Sequence, residues 1–189
     1  MSQPASPLRH PKTWDDLADV PEGFVGEVVA GEVVVHPRPD PPHTEATSDL
    51  GALLGAWFRF GIGGPGGWVI LPEPRVRFLE NIRVPDLGAW RRERFVSPAT
   101  GPYTVVPDWV CEVLSPRTAR EDRTEKMPLY AASGVKHAWL LDPVVKTLEV
   151  YRLQDGGWLL AGSHGGSSKV RAEPFDAVEL DLAQVWGGE

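Results

Sequence analysis

The sequence contains one cysteine, Cys111, in 189 residues. An intramolecular disulfide is therefore excluded, and a reducing, cytoplasmic setting is expected. Histidines are few, and no two of the five stand at the i, i+4 spacing of a helical zinc site. No apolar run approaches the ~20 residues that span a bilayer, and Met1 to Pro11 lacks the apolar core of a signal peptide. The glycine-rich run from Gly61 to Gly67 has no Lys-Ser/Thr ending and follows a helical stretch, so it reads as a connection, not a phosphate loop. Ser115 lacks the setting of a nucleophile elbow, which argues against acyl hydrolase chemistry. Positive charge is also short: 19 Lys and Arg stand against 26 Asp and Glu, a net −7. Such a chain does not coat nucleic acid by bulk charge. The deficit is uneven, however. Residues 75–137 hold 11 Lys and Arg against 8 Asp and Glu, with Arg75, Arg77, Arg83, Arg91, Arg92 and Arg94 around Asp86. Local, salt-sensitive contact with DNA is therefore not excluded.

What the chain does have is turn residues: 20 Gly and 19 Pro, which predict short elements. Residues 1–12 are polar and proline-rich and read as a flexible tail; residues 13–189 are expected to form one domain. Thr13 caps a short helix rich in acids. Val28 to Val35 reads as a hairpin turning at Gly31, and His36 to Pro42, with its prolines, as a loop. From Thr44 the period becomes helical: Leu50, Leu53, Leu54 and Trp57 make one stripe. Strands follow at Trp68 to Leu71, Pro74 to Leu79, Val84 to Trp90 and Trp109 to Leu114. A second helix covers roughly Thr118 to Ser133. His137 to Asp142, Thr147 to Leu153 and Trp158 to Ala161 complete the sheet, the last two joined at Asp155-Gly156-Gly157. The order predicts an α/β fold around one mixed sheet with flanking helices and an N-terminal hairpin.

Three segments could carry chemistry. Arg83-Val84-Pro85-Asp86-Leu87 sets a carboxylate at the start of an apolar strand. In Pro107-Asp108-Trp109-Val110-Cys111-Glu112-Val113-Leu114-Ser115, Glu112 interrupts an apolar strand, on the same face as Val110 and Leu114. Two readings of Glu112 fit equally: an edge position facing water, or a buried acid that needs a partner or a metal. Arg120 to Lys126 opens a helix, and composition alone favours a solvated charged face there. Together, two carboxylates on neighbouring strands would make a hard-oxygen site suited to Mg²⁺. Such an ion can activate water for phosphodiester hydrolysis, with a lysine stabilising the charge that builds on phosphate. Trp90 and Trp109 flank the acidic strands; core is their default place. Cys111 reads as a small core residue.

These stretches together resemble the Uma-type restriction endonucleases, bacterial proteins of the PD-(D/E)XK nuclease fold. The likeness runs from about Trp14 to Trp186. It rests on Pro107 to Pro116, Asp122-Arg123, Lys126, Tyr130-Ala131, Gly134-Val135, Trp139 to Pro143 and Glu149 to Arg152, with Val84-Pro85-Asp86 upstream. The resemblance implies a restriction-endonuclease-like core, DNA as substrate, Mg²⁺ as cofactor (with Mn²⁺ as a substitute), Asp86 and Glu112 as metal ligands, and Lys126 as the catalytic lysine. The general motif has a lysine two residues after the second acid; here that residue is Leu114, and Lys126 matches the families in which it has moved to the next helix. Glu32, in the hairpin, and His43, near the first long helix, are further candidates. Two departures stand out. Pro128 falls inside the helix that carries Lys126, where a kink would re-aim the lysine. Lys136-His137-Ala138 replaces the family's usual Pro-Glu-Tyr. The expectation is a Mg²⁺-dependent DNA endonuclease acting as a homodimer. The alternatives are an inactive nuclease fold kept as a nucleic-acid-binding or regulatory module, and a hydrolase of small phosphorylated molecules.

Overall fold

Residues 10–187 are described by the computed structural model. Most of the expected tail therefore lies outside the described residues. A 3-10 turn, Trp14–Asp19, comes first, with the Asp16 carboxylate accepting the backbone N–H of Thr13 at 2.8 Å. The hairpin is formed by β1 (Phe24–Val29) and β2 (Glu32–Pro37), which turn at Ala30-Gly31. Both turn residues have positive φ, 49° and 78°, as a two-residue turn between twisted strands requires. Helix α1 (Pro41–Leu54) begins three residues earlier than its apolar stripe suggested. Pro41 and Pro42 occupy its first turn, where a missing N–H costs nothing, so the expected loop is shorter. Its apolar stripe buries Leu50 and Leu54, and the helix ends in a widened π turn, Gly55–Arg59.

The strands then follow as β3 (Trp68–Pro72), β4 (Val76–Phe78), β5 (Asn81–Arg83), β6 (Leu87–Arg91) and β7 (Trp109–Val113). The expected strand from Val84 to Trp90 is broken. Pro85 has no N–H to give a ladder, so β5 ends at Arg83, β6 starts at Leu87, and Asp86 sits in the gap. After β7 comes one helical run in three parts: α2 (Ala119–Glu121), a π turn (Asp122–Lys126) and α3 (Met127–Ala132). Then come β8 (His137–Asp142), β9 (Thr147–Gln154) and β10 (Gly157–Gly165), the last two turning at Asp155-Gly156 as expected. Short strands β11 (Lys169–Val170) and β12 (Leu180–Asp181) pair near the C-terminus.

Two main sheets form, where one was expected. The mixed sheet has the order β10-β9-β8-β7-β6-β3, and its β7–β8 pair is parallel. A second, antiparallel sheet has the order β2-β1-β5-β4. Period-two alternation explains the layering. Trp109, Cys111 and Val113 point to one face of β7, into a core with α1, Trp68, Trp139 and Phe175. Val110 points to the other face, with Val76 and Phe78 of the smaller sheet and Met127 and Tyr130 of the helical run. Trp90 and Trp109 are fully buried, and Trp90 donates its indole N–H to the Val105 carbonyl. Both are core residues. Cys111 is buried as well, and burial pushes its thiol pKa well up.

Candidate active site

The break before β6 and the centre of β7 meet. β6 and β7 pair antiparallel with Leu87 opposite Cys111. Continued by one residue, that register sets Asp86 opposite Glu112. The Asp86 Oδ2 accepts the backbone N–H of Val113 at 2.7 Å, which fixes the side chain against β7. Glu112 does not face water. β7 is a central strand, and Glu112 is 1% exposed. The partner that such burial demands comes from the helical run. Lys126 Nζ donates to Glu112 Oε2 at 2.9 Å, and Tyr130 donates its hydroxyl proton to Glu112 Oε1. Lys126 Nζ also lies 3.0 Å from Asp122 Oδ1, an ion pair outside hydrogen-bonding geometry. Asp122, Lys126 and Tyr130 are spaced by four, so one stripe of the helical run faces the strand. The charged segment is thus not simply a solvated face: Asp122 is buried, while Arg123, Thr124 and Glu125 are exposed.

Pro128 does not turn Lys126 away. In a regular α-helix its ring would press on the Thr124 carbonyl. The preceding turn is widened instead, with the Met127 N–H reaching back five residues to the Asp122 carbonyl. Such a π bulge accommodates an interior proline, and Lys126 still meets Glu112.

His43, on α1, lies with Nε2 3.2 Å from Asp86 Oδ2. Glu32 is not brought to this group; it is exposed at the turn end of the hairpin, where its carboxylate acts on Lys12. Sequence reasoning missed Glu27, on the paired strand. Glu27 accepts from Arg83 Nη1 at 2.9 Å and from the Val84 N–H at 2.7 Å, with His36 Nε2 3.5 Å away. It lines one cleft together with Asp86, His43, Asp122 and Lys126. The signal was available: a carboxylate in the middle of a β-branched strand, the same pattern that marked Glu112. Asp122 and Tyr130 were legible as the helical stripe of Lys126. Arg83, counted above among residues that could meet DNA, is buried and bound to Glu27 and Glu121. Arg94 is paired with Asp108.

Burial raises the proton affinity of Glu112 strongly; Lys126 opposes this, and Asp86 and Asp122 add to it. Asp122 is raised by burial against the pull of Lys126. Burial lowers Lys126, but Glu112, Asp122, Glu27 and Asp86 outweigh it and hold the amine well above its ordinary pKa. Lys126 is therefore an ammonium ion. His43 is desolvated too, yet Asp86 raises it overall. Glu27 goes the other way. Burial would raise it, but His36, Lys126, Arg83 and the Val84 N–H bring it down to about 2.

The donor set suits a hard cation. Asp86 and Glu112 offer carboxylate oxygens from adjacent strands, and beyond burial, the charges of Asp86 and Asp122 add to the proton affinity of Glu112. Glu27, His36 and Glu121 also gather, with one donor atom of each within 4.8 Å of the others. There the Arg83 guanidinium already bonds both acids, 2.9 Å and 2.8 Å away, so that trio is an ion-pair network.

A family model described as "Putative restriction endonuclease" (Uma2) matches residues 14–183. The fold is similar to a crystal structure from Anabaena variabilis described as "a putative nuclease belonging to DUF820". That likeness has a TM-score of 0.72 and 22% identity, and covers 93% of this chain and 98% of that one. No curated protein matches the chain. Among the described residues no helix is long and apolar enough to cross a membrane. The fold matches that neighbour, and the family model spans nearly the whole sequence: the chain belongs to the Uma2 family, described as "Putative restriction endonuclease".

Proposed function

We propose that the protein is a Mg²⁺-dependent DNA endonuclease of the cytoplasm, with Asp86 and Glu112 holding the cation and Lys126 beside it. One observation carries the reading: a buried carboxylate on a central strand, paired with a lysine from the next helix, opposite a second carboxylate held at a strand break. Bound there, Mg²⁺ (or Mn²⁺ in its place) would supply an activated water and offset charge on the phosphate.

The chain's own residues divide the remaining work. The carboxylates around Lys126 hold its amine above its ordinary pKa, which favours a role by charge, stabilising the phosphate as negative charge accumulates, over one as a base. Tyr130 and Lys126 each bind one oxygen of Glu112 and fix its plane. The Val113 N–H fixes Asp86. His43, with Nε2 3.2 Å from Asp86 Oδ2 and Nδ1 3.4 Å from the Thr47 hydroxyl, would orient the same carboxylate from the α1 side. Cutting both strands of a duplex would call for two copies, and light scattering on the purified chain reads that homodimer directly.

The test is incubation with plasmid in Mg²⁺, in Mn²⁺ and in EDTA. Cleavage is expected with either metal and not with EDTA, and Asp86→Ala and Lys126→Ala are expected to lose at least about a hundredfold in rate. Variants that cut as well as the parent would refute the site. If there is neither cleavage nor heat of cation binding by calorimetry, the chain is a nuclease fold retained for binding.

A further inference from the structure

We propose that the groove along α1 is a track for an unpaired DNA strand flanking the cut, which rests on the endonuclease reading and adds a single-stranded segment beside the duplex that is cleaved. The cleft lined by Asp86, His43 and Lys126 is the smaller of two, about 80 Å³. A second, open groove of about 730 Å³ runs beside it, on the scale that buries a drug-sized molecule and so one or two nucleotides. The two are continuous: Val25, Pro39, His43 and Glu73 line both. A strand whose phosphate lies at Asp86 has this groove as its next surface.

The lining fits one kind of occupant. Arg38, Arg59 and Arg75 line the groove against one acid, Glu73, in a chain whose net charge is −7. That local excess suits a polyanion. Two aromatic rings stand exposed in the same groove, Phe24 at 45% and Phe60 at 68%. Beside arginines, such rings offer faces on which a base can stack. Arg59 is anchored by donating to the Ile70 carbonyl at 2.7 Å, and its guanidinium lies 5.5 Å from the Phe60 ring centre. A cation and a ring are thus held together at one end. The floor between is smooth, since Ser48, Gly51, Ala52 and Gly55 put only small groups into it. A basic groove with aromatic platforms is how unpaired strands are bound, phosphates to arginine and bases to rings. A duplex hides its base faces and would meet these rings with sugar and phosphate alone.

Fluorescence anisotropy on the full chain, with labelled dT20 and a 20-base-pair duplex and no divalent metal, tests this. The single strand is expected to bind at least about tenfold tighter than the duplex. Phe60→Ala is expected to weaken dT20 by about tenfold while leaving the duplex within about twofold, the stacking of a base on a ring being of that order. Arg38→Ala and Arg75→Ala should each lower the salt slope for dT20 by about 0.7, as loss of one phosphate contact does on single strands. These residues are exposed, and circular dichroism checks that the variants are folded. Equal or tighter binding of the duplex overturns the proposal, as does a Phe60→Ala protein that binds dT20 like the parent. A dimer that dissociates in Phe60→Ala, with no oligonucleotide bound, would show that a second copy covers the groove instead, and overturns it equally. Asp86→Ala separates the two readings: it should abolish cleavage and leave dT20 binding intact. Binding without cleavage in the parent leaves the groove standing and refutes the hydrolytic reading alone; cleavage of duplex without dT20 binding does the reverse.

Discussion

Glu27 carries more of the fold than its place in a hairpin strand suggests. Its pKa falls from 4.5 to about 2 although burial works against it, because Arg83, His36, Lys126 and the Val84 N–H favour the anion. A carboxylate depressed on folding stabilises the native state fully above its unfolded pKa. That contribution is lost as pH falls through the folded value. The shift corresponds to about 3 kcal/mol. Glu27→Gln should therefore unfold at lower urea than the parent at pH 7, and the gap should shrink steadily from about pH 4.5 towards pH 2; a constant gap would count against the assignment. Tyr130 acts on the opposite acid. Tyr130→Phe strips Glu112 Oε1 of a buried donor, which should cost about 1–3 kcal/mol by urea unfolding. Cleavage should drop as well if Glu112 is a metal ligand, because its plane is no longer held. Whether Glu112 was buried could not be read from its strand: alternation assigns a face, not what covers it. The covering came from Tyr130 and Lys126, whose link to Glu112 spans 18 and 14 residues.

Among the elements, the helical run from α2 to α3 was legible as a helix but not in its geometry. Proline 128 signalled a kink, and the π turn answers that signal by widening. Pro128→Ala removes the need for the wide turn. A regular helix would then rotate the residues before position 128, moving Lys126 off Glu112. The expected result is a protein as stable as the parent or up to about 1 kcal/mol more so, with cleavage reduced at least about tenfold; unchanged cleavage would show that the bulge does not depend on the proline. The hairpin, α1 and the strands from β6 to β10 were legible because alternation and turn chemistry agree in each. The second sheet was not. β1 reaches β5 through a single registered pair, Val28 with Ile82, and no pattern within either segment points to the other. The same distance hid Glu27 from the site, since its partner Arg83 lies 56 residues away.

At the scale of the molecule, the smaller sheet is tied to the larger. Val76 and Phe78 pack with Val110, Tyr130 and Leu140 in one apolar cluster, and Glu27 binds across to the strand break. Residues 13–189 are expected to unfold as one unit, so calorimetry should give a single transition with equal calorimetric and van't Hoff enthalpies. Two separated transitions would divide the chain at the sheets. The parallel pairing of β7 with β8 has a consequence of its own. Every residue proposed for chemistry, from Glu27 to Tyr130, precedes β8 in the chain, yet β7 lacks one neighbour until β8 has been made. Phe175, which packs on Trp109 behind the same strand, comes later still. A chain still emerging from the ribosome thus holds all its reactive groups with no rigid strand to set them on. Any activity of the site would therefore arise only once β8 and the residues packed behind β7 have been synthesised and paired.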